Sequence, residues 1–436
     1  MLIEFRFSNY RSFRDENVLS MEKRGISDPE DGIITFEKYR LLPSMAIFGK
    51  NGGGKSNLIR AFWLGVQFIT NAQRTQHENS AVPVRPFLLS EDSSVRPTAF
   101  EYTFIENGLR YIYGFSATME HIDTEYLYYY PGRNRATIFT RKGQDFYFPA
   151  GSDKRLKELI SKAVAPNQLF FAIASTMNYE PCIRAMNWFR SKVIFSRDYA
   201  DLPTQIMMNI NNEQILSSMK KYAMEADVGI ENMQFEINDR ILETADLDKS
   251  APDMPEEVRR AIEAFMQALN ASPDVSEASM KKQELKVTTF HRGIDAEGES
   301  KLYEMSLSDE SDGTRRIMAL APAIEKILHD GGLFIIDEIE LGVHPLIVNW
   351  ILEKIQNAAD NPNHAQIIFT THDSNLMKFD ILRRDQVAFV DKDRETGVSE
   401  LYQIRDIRDF SGRSAENSYL AGKFGAVPEL NDGDLL

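Results

Sequence analysis

Eight residues constrain this chain more than any others. Gly49-Lys50-Asn51-Gly52-Gly53-Gly54-Lys55-Ser56 fit the spacing G-x-x-x-x-G-K-[ST]. Glycines in such a loop let the backbone curl until successive N–H groups point inward at phosphate oxygens. Lys55 then brings a point charge to the outer phosphates, and the Ser56 hydroxyl is a candidate Mg2+ ligand. A glycine-rich turn that binds nothing carries the same letters, so the flanks decide. Ser44–Phe48 before the loop is a short apolar run suited to a buried parallel strand. Asn57–Leu64 after it reads as a helix whose N-terminus faces the phosphates. Strand, loop and helix in that order predict a nucleotide site made by Gly49, Asn51, Gly52, Gly53, Gly54, Lys55, Ser56 and Asn57.

The C-terminal part repeats the same texture. Leu333–Ile336 and Gln366–Thr370 are short apolar strands, with helices expected over Gly313–Ile327 and Pro345–Ala358 and a further strand at Gln386–Val390. Strands alternating with helices imply an α/β fold with a parallel sheet wrapped by helices. The N-terminal residues alternate polar and apolar over Leu2–Ser8, and Thr98–Phe148 is β-rich, with Asn107-Gly108 a strong hairpin signal. The tyrosines of that region are read as cross-strand packing rather than base-stacking surfaces. Residues 153–227 look mainly helical, apart from Val193-Ile194-Phe195. Acidic, proline-bearing stretches at 243–257 and 270–279 flank a helix-like 258–269 and are expected to be mobile. The economical architecture is one nucleotide-binding sheet split by a long insertion. It has an N-terminal part with the phosphate loop and a β-rich subdomain (1–150), a mainly helical insertion lobe (151–284) and a C-terminal part (285–436).

Three elements complete the candidate site. Leu333–Ile336 runs into Asp337-Glu338, delivering two carboxylates to the C-terminal edge of a strand, where open α/β sheets bind ligands. Asp337 would hold Mg2+ opposite Ser56, and Glu338 would be the general base that orients the attacking water. His372 follows the apolar strand Ile367-Ile368-Phe369 and can hydrogen-bond a γ-phosphate. Ser311-Asp312-Gly313-Thr314 precedes a helix that opens with Arg315 and Arg316, so Ser311 and Gly313 sit at an anion-favouring N-terminus, which could equally be a plain N-cap.

Composition sets the remaining bounds. The chain has 50 basic and 65 acidic residues, net −15, which argues against coating nucleic acid over a broad surface. One cysteine, Cys182, excludes an internal disulfide framework and is read as a small buried hydrophobe. No apolar run reaches a membrane span and the first residues carry no signal-peptide pattern, so a cytoplasmic protein is expected.

The order of these blocks resembles the ATP-binding-cassette type of P-loop ATPase, in the branch shared by RecF, the structural-maintenance-of-chromosomes proteins and the OLD ATPases. The opening Phe7-Ser8-Asn9-Tyr10-Arg11-Ser12-Phe13 looks like the start of that branch. Glu310–Arg316, Asp337-Glu338-Ile339-Glu340 with Val343-His344-Pro345, and the closing 419–428 look like the stand-alone bacterial OLD-like ATPases of the RloA or AbiL type. The resemblance implies ATP and Mg2+ as ligands and a homodimer with composite sites. In it, Ser311 and Gly313 contact the γ-phosphate held by the other subunit's Lys55. Asp312 stands where the transporter motif has glycine and Thr314 where it has glutamine. None of Gln67, Gln73 and Gln76 matches a Mg2+-sensing loop. His344 matches a subfamily position beside the dimer-facing loop, and Pro345 after it also suits a helix start.

The resemblance further implies an ATP-driven switch in a bacterial anti-phage or abortive-infection setting, acting on a separate nuclease or toxin effector. No nuclease-like module is evident after Val390. The alternative is a RecF-like ATPase of DNA repair or recombination, for which Arg6, Arg11, Arg14, Arg133, Arg135, Arg141 and Lys142 are candidate phosphate contacts, although each reads first as an ordinary solvated charge.

Overall fold

The computed structural model describes the chain except for residues 24–29, 31, 76, 78–79, 152, 197–200, 227–228, 242–254, 272–280, 379–381, 405–414 and 428–436. Most of the two acidic stretches expected to be mobile, together with Gln76 and Pro428, lie outside the described residues. Two compact units are present: Met1–Ser196 with Ala323–Leu436, and Arg197–Pro322.

The first unit holds two large sheets. Its antiparallel sheet has the order β10-β9-β8-β7-β6-β1-β2. These strands are β1 (Leu2–Ser8), β2 (Asn17–Ser20), β6 (Thr98–Glu106), β7 (Leu109–Ala117), β8 (Ile122–Tyr130), β9 (Ala136–Lys142) and β10 (Asp145–Tyr147). β3 (Ile34–Phe36) and β4 (Tyr39–Leu41) form a separate hairpin. The β6–β7 turn is the expected Asn107-Gly108, with φ of +49° and +73°, the two left-handed residues a tight hairpin turn requires. Period-two alternation puts Phe5, Phe7, Phe100, Tyr102, Phe104 and Tyr113 on one buried face. Trp188 and Phe189 pack against it, with the Phe104 and Trp188 rings 4.5 Å apart. Tyr102 and Tyr113 therefore serve packing, as expected, whereas Tyr126 and Tyr128 stack on each other as half-buried side chains.

The second sheet carries the phosphate loop. Its order is β11-β15-β16-β5-β17-β18. The strands are β5 (Ser44–Phe48), β11 (Val193–Phe195), β15 (Leu333–Ile336), β16 (Gln366–Thr370), β17 (Val387–Lys392) and β18 (Ser399–Gln403). All neighbouring pairs are parallel except β17 with β18. β5, β15 and β16 are buried at every position, which is why each reads as an apolar run rather than an alternation.

The split into units departs from the expected segments. Helices Lys154–Ser161, Phe170–Thr176 and Glu180–Asn187 contribute Ile160, Phe170, Phe171, Cys182 and Met186 to the main core of the first unit. They belong with the sheets, not with an insertion lobe starting at 151. The boundary was invisible in sequence because amphipathic helices look alike whichever core they cover. Burial pushes the Cys182 thiol well up from its ordinary value, in keeping with a packing role.

The second unit has helices Leu202–Met208, Glu213–Ala226 and Glu256–Ala271, and also an antiparallel sheet. That sheet comprises β12 (Ile230–Ile241), β13 (Lys281–Ile294) and β14 (Ser300–Ser306) in the order β12-β13-β14. Leu202, Ile206, Met219, Met233, Val287 and Met318 form its apolar cluster. β13, which spans Lys281–Ile294, is therefore the middle member of a sheet. β12 pairs with it across some forty intervening residues, a pairing that local pattern does not announce.

Candidate functional site

The phosphate loop follows β5 and leads into the helix Lys55–Thr75. Its backbone is shaped by close approach. Gly49 has φ +158°, and a Cβ there would meet the Val390 carbonyl oxygen at 2.3 Å. Gly54 has φ +122°, and a Cβ would meet Ser399 Oγ at 2.6 Å. Asn51 and Gly52 are exposed, Gly53 and Gly54 are buried, and Ser56 and Asn57 are half-buried.

Polar side chains from distant strands brace this loop. Ser399 Oγ on β18 donates to the Gly53 carbonyl (2.7 Å), and the Ser399 N–H donates to the Ser12 carbonyl (2.6 Å). Asn57 Nδ2 donates to Ser12 Oγ (2.9 Å). Lys50 pairs with Asp391 at 2.8 Å. Burial works against the Asp391 carboxylate, but the Lys50 ammonium and the backbone N–H groups of Ala426 and Lys392 outweigh it and hold the group below its usual range. A cleft of about 760 Å3 opens beside Lys50–Gly52, walled by Arg14, Phe87, Leu89, Ser90 and the β17–β18 turn.

Lys55 is 6% exposed, and its ammonium donates to the Gly49 carbonyl (2.6 Å). Burial lowers its pKa, while Glu338, Asp337 and Glu340 pull it back up. Those three carboxylates follow β15. β16 lies between β15 and β5, with Phe369 opposite Ile336 and Thr370 opposite Ile47. The ends of the three strands are thus level, and loop, carboxylates and His372 share one sheet edge.

Thr370 joins these parts. Its hydroxyl donates to Asp337 Oδ1 (2.7 Å) and accepts the Glu338 N–H (2.7 Å), and its carbonyl accepts the Ile339 N–H (3.1 Å). Glu338 has φ +54°, a left-handed conformation uncommon for this residue type. His372 is exposed, and its backbone N–H donates to Glu340 Oε1 (2.6 Å). The buried Oε2 of Glu340 has no hydrogen-bond partner among the described residues. A carboxylate oxygen left without a donor in the loop that follows Asp337-Glu338 suits a bound cation or its water shell. Among the described residues no cluster of three His, Cys, Asp or Glu could hold a metal by itself. Ser56 and Asp337 as hard oxygen donors fit Mg2+, which takes few protein ligands and keeps phosphate and water.

Sequence reasoning missed Thr370, Asp391, Ser399 and Ser12. Of these, Thr370, two residues before His372, and Ser12, in the opening Phe7–Phe13 stretch, lay within segments already singled out, but neither was assigned a role. His344 resolves as a helix cap: its Nδ1 accepts the Leu346 N–H (3.2 Å) at the start of Pro345–Gln356. Gln67 hydrogen-bonds Asn71 within the Lys55–Thr75 helix. Ser311 and Gly313 belong to the second unit. There Ser311 Oγ accepts the Thr314 N–H (3.1 Å) as the cap of the helix Asp312–Asp330.

Several proposed phosphate-contacting arginines have intramolecular partners. Arg6 pairs with Glu4, Glu16 and Glu101, Arg14 with Asp15, and the Arg135 guanidinium lies over the Tyr128 ring. Arg141 is a correction. It is buried against Glu125, whose carboxylate also accepts the N–H groups of Phe170 and Phe171.

Residues 44–207 and 212–378 match the family model described as "AAA domain, putative AbiEii toxin, Type IV TA system". A 73-residue segment is 34% identical to the Retron Vc95 probable ATPase of Vibrio cholerae serotype O1 biovar El Tor, covering 16% of this chain and 14% of that protein. Two solved structures align along most of their length. One is the Smc head bound to the C-winged helix domain of ScpA, at 12% identity, 92% of this chain, 97% of that chain and TM-score 0.41. The other is the Smc head domain with an extended coiled coil, bound to the C-terminal domain of ScpA derived from Pyrococcus furiosus. It aligns at 13% identity, 93% of this chain, 97% of that chain and TM-score 0.39. No helix among the described residues is long and apolar enough to cross a membrane.

Proposed function

The chain belongs to this AAA domain family and has the α/β fold of a P-loop ATPase of the AAA/ABC type; on that premise we propose that it hydrolyses ATP with Mg2+ as a nucleotide-driven dimeric switch. The observation that carries this reading is the shared edge of β5, β16 and β15, on which the phosphate loop, His372 and the Asp337-Glu338 pair lie side by side.

Chemically, the loop amides and Lys55 bind the phosphates and stabilise charge that builds on them. Ser56 and Asp337 would hold Mg2+, which supplies further positive charge at the outer phosphates. Glu338 orients the attacking water and takes its proton, with its backbone held by Thr370. His372 hydrogen-bonds the γ-phosphate from the neighbouring strand end. The cleft on the β17–β18 side of the loop, away from the carboxylates, takes the nucleoside.

Ser311 and Gly313 would meet the γ-phosphate held by a second copy. Exposed Leu341 and Leu346, just after the carboxylates, offer apolar surface for such a partner. The family's toxin–antitoxin description and the retron relative support a role in bacterial anti-phage defence, in which the ATPase controls a separate effector.

Lys55→Ala and Glu338→Gln should each abolish turnover, and unchanged hydrolysis in either would overturn the site. ATP should double the mass of the Glu338→Gln protein by light scattering.

A further inference from the structure

One buried acid of the second unit is used by nothing described so far. β14 is exposed along its whole length, and Ser311 and Asp312 are exposed again. Between them Glu310 is 6% exposed. Its Oε1 accepts the hydroxyl of Thr289 and lies within hydrogen-bond distance of His291 Nε2, at 2.8 Å. Both partners stand on β13, the central strand of the three-stranded sheet. Thr289 is fully buried, and its hydroxyl oxygen also lies 3.3 Å from the Met305 carbonyl on β14.

A buried carboxylate costs several kcal/mol in desolvation unless its acceptors are filled, and an apolar residue of like size would often pack as well. Packing alone therefore gives little reason for an acid here. Its geometry does something a leucine could not: it fixes the residue immediately before Ser311 to the sheet in one orientation. Hydrogen bonds specify direction where apolar contact does not.

We propose that Glu310, held by Thr289 and His291, is a positioning residue that aims the Ser311–Gly313 turn at the γ-phosphate of ATP bound by a second copy of this chain. The proposal rests on the dimeric-switch reading above. Through β13 the same anchor couples the turn to β12, so a load on that strand pair would be transmitted to the nucleotide contact.

The test uses the full chain in the Glu338→Gln background, read by ATP-dependent mass and by affinity for a fluorescent ATP analogue, with turnover measured in the Glu338 protein. Glu310→Ala should raise the ATP concentration needed for dimerisation and lower kcat by about 10-fold to 100-fold, as expected for a misplaced contact group. Affinity of the monomer for the analogue should stay within about twofold, because Lys55 and its loop are untouched. Glu310→Gln, whose amide can still hydrogen-bond both Thr289 and His291, should restore most of the activity. Thr289→Val should fall between them.

If the Glu338→Gln protein does not dimerise with ATP, the dimeric-switch reading fails. If it dimerises and Glu310→Ala does so equally well, only the positioning role fails. Loss of function in Glu310→Gln equal to that in Glu310→Ala would also overturn it, as would a matching loss of analogue binding.

Discussion

Replacing Thr370 by valine keeps volume and β-branching at a fully buried position but removes the hydroxyl that links Asp337 to the Glu338 backbone. The bond to the Asp337 carboxylate is of the charge-assisted kind, worth roughly 1.5–3 kcal/mol, and loss of the Thr370 acceptor from the Glu338 N–H costs up to about 1–3 kcal/mol. Asp337 and Glu338 are half-exposed, so water recovers part of this, and a net loss of about 2–4 kcal/mol is expected. Glu338 sits at φ +54°, a conformation that costs about 1–3 kcal/mol and persists only while its surroundings hold it. Freed of the Thr370 bond, it relaxes and the carboxylate leaves the position it needs. If about 2 kcal/mol of that falls on the transition state, turnover drops roughly 30-fold. Steady-state ATP hydrolysis, fluorescent-nucleotide affinity and urea denaturation should be measured together. Thr370→Val should lose kcat and some stability while affinity stays within about twofold, and Thr370→Ser should recover turnover. A Thr370→Val protein hydrolysing ATP at the wild-type rate would refute the reasoning.

Gly54→Ala should weaken nucleotide binding by at least about tenfold in a titration, because a Cβ cannot fit against Ser399 Oγ at a φ of +122°. Asp391→Asn should loosen the loop by removing the partner of Lys50, weakening nucleotide affinity several-fold in the same assay. Since the folded-state pKa of Asp391 is depressed, its contribution to stability is present above the unfolded value near about 4 and is lost as the pH falls through the folded value. The acid limb of a stability–pH curve should therefore flatten in Asp391→Asn. Arg141→Ala should destabilise the first unit by about 3–5 kcal/mol in chemical denaturation, because it leaves the buried Glu125 carboxylate without its cation.

Legibility followed the range of the interaction. Gly49–Ser56, the Asp337-Glu338 pair and His372 could be read because each combines a local motif with an apolar strand directly or almost directly before it in the chain. The Asn107-Gly108 turn and the strand Gln366–Thr370 matched expectation for the same reason. Thr370 was passed over because a threonine ending a strand looks like many others. Its role depends on partners 32 and 33 positions away. Asp391 and Ser399 escaped altogether, since Ser399 reaches Gly53 across 346 positions and no periodicity marks such a pair. Arg141 was misread because a charged side chain on a strand gives no sign of which face it occupies.

By itself the sequence determined that a phosphate-binding loop, a carboxylate-bearing strand and a strand-end histidine occur on one chain in an order that a parallel sheet can bring together. Local backbone preference and hydrophobic pattern are enough for that. Only the tertiary structure decided that β16 separates β5 from β15, that Thr370 holds Glu338 in a strained conformation, and that β17 and β18 brace the loop. It also decided that helices from 154 to 187 belong to the first unit and that Glu310 is buried against β13. These outcomes depend on which distant polar groups satisfy each other once water is excluded, and that is settled by packing in space rather than by neighbours in the chain.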